Sequence, residues 1–325
     1  MLQCILGLWL LVFAVMPFAS LSCAAEPAAK DAVTVLSVGV PKAPPAFPLL
    51  RMMETDALGP DVQIRLDVWV TPEQLIAMAQ GGRHQLLALP LTVAAKLYNK
   101  GVGIRMINVD TWGVASLVTS DPEVRGWKDL AGKTLFVPLK SSTPDALTRY
   151  FLGRAGLRME TDVNVAYAPV IEIAQLLRAG RVQNAVLIEP HVTAAIAADA
   201  GLREVVAFSD EWAAIKGSER RIPNAGFAAS SRLIAENPDL VRRFGREYEK
   251  ALLWTLENPE AAGELVERYL GLQGDMIVAA MPRLGLAYRD APDAADEVED
   301  FFGVLHDFSP DLIGKTIPDE AFYWK

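Results

Sequence analysis

Three consecutive hydroxyl residues, Ser141, Ser142 and Thr143, stand immediately before Pro144 and Asp145. They follow an apolar run, 134–137, that reads as a buried strand introduced by the turn residues Ala131-Gly132-Lys133. Thr143 is a good N-cap, Pro144 suits the first helical position and Asp145 favours the first turn. A helix should therefore start here, set Leu147, Tyr150 and Phe151 on one face, and end at Gly153 or Gly156. A hydroxyl-rich loop at a helix N-terminus offers unpaired N–H groups and the positive end of the helix dipole. That is chemistry for holding an acceptor or an anion, although the same residues also suit an ordinary capped helix after a strand. Catalytic patterns are absent. His84, His191 and His306 are too scattered for an HExxH motif, and no GxSxG or P-loop run occurs.

The elements that must position this loop repeat a strand–loop–helix pattern. Strands are expected at 33–38, 62–69, 85–89, 104–109, 112–119, 134–137, 164–167, 185–188, 205–208 and 226–230. Helices fall at 47–55, 71–79, 93–99 and 170–178, then after His191, and again from Asn237-Pro238 and Asn258-Pro259. The C-terminal part is expected to stay helical with loops. This alternation implies a parallel or mixed sheet with helices on its faces. Two pieces, AMAQGGRHQLLALPLT and LLRAGRVQNAVLIEPHVT, share helix, glycine turn and apolar strand, a coarse internal duplication.

The chain has 325 residues, 51% of them hydrophobic and 22% charged, enough for two domains with a sizeable core. A formal net charge of −9 argues against a nucleic-acid partner, which would call for basic clusters. Residues 5–16 are apolar without a break and small residues follow, which reads as a secretory signal over 1–25. No Lys or Arg precedes that run, so a retained anchor is the alternative. Cys23 raises lipidation, but Leu21 stands two places before it where a lipobox has leucine three places before. The only other cysteine is Cys4, so the mature chain has no intramolecular disulfide and no cysteine metal site.

The run WKDLAGKTLFVPLKSSTPDALTRYFLGRAGL, then LLRAGRVQNAVLIEPH, then IPNAGFAASSRLIAENPDLVRRF resembles, in that order, the solute-binding proteins of ABC importers for nitrate, sulfonates, taurine and thiamine-precursor pyrimidines. The resemblance covers 33–255. It implies an α/β architecture of the type II periplasmic-binding fold, two lobes joined by two crossover strands near 116–120 and 225–230. Lobe one would be 33–117 plus 228–325, and lobe two 118–227. It further implies a monomer outside the cytoplasmic membrane that carries a small-molecule solute to an ABC permease, with no cofactor and no catalysis. Chorismate dehydratase-like and pyrimidine-synthesis-like enzymes reuse this architecture, and a ligand-sensing domain is a third reading. The sequence departs from the family at His84 and Asn184, where aspartate is usual, and at Leu139-Lys140, where glycine is.

In such a fold the ligand sits between the lobes, at strand ends and helix starts. Ser141, Ser142 and Thr143 then face it from lobe two. Pro90, Leu91 and Thr92 match a family binding loop, and Lys42 and Pro44 lie in the first strand–helix loop. Trp69 and Trp112 fall at cleft edges, where an indole could stack on the solute. Glu189 and His191 flank Pro190 at the cleft, Glu189 suiting an amine-bearing ligand, and Asn224 lies near the second hinge.

Overall fold

The computed structural model describes residues 33–138, 140, 142–217 and 220–325. The expected signal over 1–25, with its cysteines, and Ser141 lie outside the described residues. The chain begins β1 (Thr34–Pro41), a 3-10 turn (Pro44–Ala46), α1 (Phe47–Glu54), β2 (Val62–Trp69), α2 (Pro72–Gln80), β3 (Leu86–Pro90), α3 (Leu91–Asn99), β4 (Ile104–Met106) and β5 (Asn108–Trp112). It continues with β6 (Ala115–Thr119), β7 (Thr134–Pro138), α4 (Thr143–Arg154), β8 (Asn164–Ala168), α5 (Val170–Arg178), β9 (Asn184–Ile188), α6 (His191–Ala198), β10 (Arg203–Ala207) and α7 (Phe208–Lys216). Last come β11 (Pro223–Ser230), α8 (Ser231–Glu236), α9 (Pro238–Glu257), α10 (Pro259–Leu270), α11 (Gly274–Ala280), β12 (Leu286–Asp290) and α12 (Ala291–Phe308).

Two sheets result, in the order β12-β5-β11-β3-β1-β2, with β4 beside β11, and β10-β6-β9-β7-β8. In the first, β1 runs parallel to β2 and β3, while β11 runs antiparallel to β3 and β5. In the second, β7 runs parallel to β8 and β9, while β6 runs antiparallel to β9 and β10. The expected α/β fold of two lobes is thus the observed one. The internal duplication is structural as well. Both β3 and β9 follow a helix and a glycine turn, Gly82 and Gly180, each at φ +66°. Both then lie between one parallel and one antiparallel neighbour.

Apolar burial explains the layers. Leu36, Val38 and Val40 of β1 are fully buried beneath α1 and α9, whose Leu49, Leu50, Phe244 and Tyr248 meet them. A second cluster runs through both lobes, from Leu87 and Leu89 in β3 to Leu117, Leu135 and Val137 in β6 and β7. Trp112, Trp212 and Phe301 belong to it, and the last two rings lie 5.9 Å apart, edge to face, so α12 packs on α7 of the other lobe.

Several expectations need correction. Neither 116–120 nor 225–230 crosses between sheets. The chain passes out at Gly113-Val114 and returns ahead of β11, at 220–222, so β6 and β11 each lie wholly in one sheet. The expected strands 104–109 and 112–119 are really β4, β5 and β6: the polar pair Asp110-Thr111, which reads as a gap, lies buried inside β5, and the breaks fall at Ile107 and Gly113-Val114. The C-terminal part is not purely helical: β12 pairs with β5 at the sheet edge. The cap of α4 is Ser142, and Thr143 is the first helical residue. Among the described residues, no helix is long and apolar enough to cross a membrane.

Candidate functional site

Two helix N-termini, one from each lobe, meet between the sheets. Pro90 ends β3 and leads directly into α3, so Thr92 stands in its first turn. Pro138 ends β7, and after the short loop Thr143 opens α4. The hydroxyls of Thr92 and Thr143 lie 3.2 Å apart, both buried. First-turn N–H groups have no partner within their helix, and each helix carries partial positive charge at this end. Opposing two such ends is unfavourable by itself and favourable around an acceptor or an anion. Ser142 is committed elsewhere: its hydroxyl donates to Pro138 O at 2.9 Å and accepts from the Asp145 N–H at 3.5 Å. Asp145 is buried in the first turn of α4, where its carboxylate complements the dipole and accepts from the Tyr167 hydroxyl at 3.0 Å.

A cavity of about 610 Å³ lies where the chain crosses between lobes. Trp112, Glu189, Glu204, Arg221 and Arg283 line it, with residues 113–116. The indole of Trp112 is fixed from two sides. Its Nε1 donates to Ala287 O at 2.7 Å, and the Arg221 guanidinium lies 3.9 Å from the ring centroid. That guanidinium occupies one face of the ring expected to stack on a solute. Arg221 is held in turn by Glu297 of α12, which accepts from the Arg221 N–H at 3.2 Å and from Arg289 at 2.5 Å. Burial and the nearby Arg289 lower the affinity of Arg221 for its proton, against the opposing pull of Glu297. Gly285 completes the hinge. It sits at φ +62°, its carbonyl accepts from the Trp112 N–H at 2.8 Å, and a Cβ there would fall 1.9 Å from the Trp112 carbonyl oxygen.

The remaining expected residues are dispersed. Lys42 is exposed, while Pro44 is buried in its 3-10 turn. Trp69 donates from Nε1 to Ala88 O at 3.2 Å and packs on the shared core, so its indole is held by the first sheet. Leu91 is wholly buried core and presents only backbone. Glu189 is buried beside Arg283, at 2.5 Å, with its other oxygen accepting from the Thr193 N–H at 3.1 Å. His191 is half-buried at the start of α6, where burial and the charge of Arg178 pull its pKa below the ordinary value. Asn224 is half-buried in β11. Of the expected residues, Trp112 and Glu189 share the cavity wall, Thr92 and Thr143 touch, and Lys42, Pro44, Trp69, His191 and Asn224 do not line the cavity. The sequence reading missed Glu204, Arg221, Arg283 and Glu297. Arg283 pairs with residues 79 and 94 positions away, a separation that leaves no local pattern.

Two departures from the family pattern have structural work. Asn184 accepts from the Thr119 hydroxyl at 2.7 Å and donates to Thr134 O at 3.2 Å, tying β6, β9 and β7 together. His84 lies 3.0 Å from the Asp67 carboxylate at the edge of the first sheet.

A model of the NMT1-like family matches residues 62–270, from the first residue of β2 to the last of α10. Over 166 residues the chain is 25% identical to a protein of Brucella abortus (strain 2308) named only as a binding protein. That match takes in 51% of this chain and 50% of the relative, so the chain spans about half the length of the curated relatives it matches. Among solved structures, an ABC transporter protein from Parabacteroides distasonis aligns with a TM-score of 0.75 at 24% identity, over 90% of this chain and 99% of that one. The periplasmic aliphatic sulphonate binding protein SsuA from Escherichia coli aligns with a TM-score of 0.74 at 16% identity, over 90% and 92%. At these identities the likeness to the solved structures is one of fold. The chain belongs to the NMT1-like family, and it folds as a type II periplasmic-binding protein.

Proposed function

We propose that this protein is an extracytoplasmic solute-binding receptor that delivers a small organic or anionic solute, of the sulfonate, nitrate or pyrimidine kind, to an ABC permease. In this reading it acts as a monomer and carries out no catalytic step. The observation that supports it most is the meeting of α3 and α4, one from each lobe, at the hydroxyls of Thr92 and Thr143. A solute bearing an acceptor or a negative group would take N–H and O–H donors from both lobes at once, so its full binding energy would be gained only with the lobes together. The sulphonate-binding protein of like fold is consistent with an anionic group.

A thermal-shift screen of alkanesulfonates, nitrate and pyrimidines, followed by calorimetry, tests the reading. Thr92→Val and Thr143→Val remove one hydroxyl each at nearly constant volume. Each should weaken the best solute by several-fold to about a hundredfold, the range for one hydrogen bond to a neutral or charged acceptor. Unchanged affinity in both folded variants would take these hydroxyls out of the site. Failure of every solute class to bind would overturn the receptor reading itself.

A further inference from the structure

Arg283 ends the 3-10 turn Met281–Arg283, between α11 and β12 of the first lobe. Its guanidinium reaches into the second lobe along a single edge. Nε donates to Glu189 at 2.5 Å and Nη2 to Glu204 at 2.8 Å. Glu189 follows β9 and Glu204 lies in β10, so both carboxylates belong to the second sheet. The Glu189 side chain is only 2% exposed and that of Glu204 20%.

Within their own lobe, the partners of these carboxylates among the described residues are neutral. Glu204 accepts from the Ser116 hydroxyl at 2.6 Å, and Glu189 accepts from the Thr193 N–H. Among the described residues, Arg283 is the one cation paired with either. Burial would push the Glu204 carboxyl up, yet the hydrogen bonds from Arg283 and Ser116 hold it below its ordinary value. Separating the lobes would take from both carboxylates the counter-charge that offsets their burial in the joined state. An unpaired buried charge is strongly unfavourable, whereas an exposed pair is worth little. Lys216 and Asp300 also link the lobes, but at 3.6 Å and with both partners partly exposed.

We propose that Arg283, clasped by Glu189 and Glu204, is a latch that holds the two lobes together in the solute-free protein and sets how readily they part. Glu189 is then committed to an internal cation, and a solute amine would have to displace Arg283 to reach it. The latch rests on these contacts alone and does not depend on which solute is carried.

Solution scattering and hydrogen exchange on dialysed, solute-free protein test this. Arg283→Gln and Glu189→Gln should each raise the radius of gyration, with Arg283→Lys falling between them and the wild type. Exchange of the Thr193 amide should quicken by a few-fold to about tenfold in Arg283→Gln, discounting for the partial exposure of the arginine. Circular dichroism and thermal melting establish that each variant is folded. Should Arg283→Gln fail to fold, Glu204→Gln makes the same test from the second lobe. Unchanged radius and unchanged exchange in the folded variants would overturn the latch.

Discussion

Asp110 offers a quantitative test of the first lobe. It lies in the middle of β5, wholly buried. Thr111 donates to its Oδ1 at 2.7 Å, and the Tyr248 hydroxyl lies 3.1 Å from its Oδ2. The same Tyr248 hydroxyl lies 2.9 Å from Pro45 O. Tyr248 has one proton for two acceptors. If Asp110 is protonated, it can donate to Tyr248 while Tyr248 donates to Pro45, and every group in the chain is satisfied. Burial drives the Asp110 carboxyl up to about 7 from 3.8, against the two hydrogen bonds that would lower it.

The sign follows from linkage. The folded state holds this proton more tightly than the unfolded chain does. Well below the unfolded value of 3.8 both states are protonated and the group contributes nothing. As pH rises toward about 7 the unfolded chain ionises while the folded protein keeps its proton, so stability falls; above that, both are ionised and the penalty is complete. A carboxyl moved from 3.8 to about 7 corresponds to roughly 4 kcal/mol. Asp110→Asn is neutral throughout and keeps the pattern: its oxygen accepts from Thr111 and its amide donates to Tyr248. Urea unfolding followed by circular dichroism should show the stability of Asp110→Asn relative to wild type improving by roughly 4 kcal/mol between about pH 4 and pH 8. A difference that stays flat, or that favours wild type more as pH rises, would refute the protonated chain.

Two further outcomes are expected. Gly285→Ala places a methyl group against the Trp112 carbonyl at a left-handed backbone, so the melting temperature should drop by the equivalent of about 2–5 kcal/mol. An unchanged melting temperature would mean that the hinge relaxes freely around the added methyl. Asn184→Asp, which restores the residue usual in the family, keeps the bond from Thr119 but sets a second oxygen against Thr134 O. It should destabilise the second lobe by about 1–3 kcal/mol in urea unfolding near neutral pH, and equal stability would show that Asn184 is not needed as a donor.

The sequence revealed most of the fold because its signals are local. Alternation of apolar residues marks β2, proline and threonine mark the start of α2, and glycine turns mark the entries to β3 and β9. The break between β5 and β6 was misplaced because the polar pair Asp110-Thr111 reads as a gap between strands, whereas both residues are buried inside β5. Strand β12 was hidden because its five residues are partly polar and lie between helical stretches. The same division holds at the site. Thr92 and Thr143 were legible because each follows a strand and opens a helix. Arg283 and its two carboxylates were not, since ion pairs across lobes depend on how the sheets pack rather than on any spacing along the chain.

These two kinds of contact act in opposite directions on the lobes. Bringing α3 and α4 together sets two helix N-termini against each other at the hydroxyls of Thr92 and Thr143, with Asp145 offsetting part of the positive charge on the α4 side. Bringing Arg283 to Glu189 and Glu204 neutralises a buried carboxylate that has no other described counter-charge. The first opposes closure and the second favours it. Under the proposed function, an acceptor group placed between the helix ends would relieve the first term and leave the second unchanged. The solute would then need to supply only the remaining difference, and a ligand's power to shift two states is limited to its differential affinity for them. Removing the latch should therefore make closure depend more steeply on the solute, whereas removing Thr92 or Thr143 should weaken binding and cost the solute-free lobes one neutral hydrogen bond rather than a counter-charge. The two sets of variants separate the latch from the site because they act on different sides of that balance.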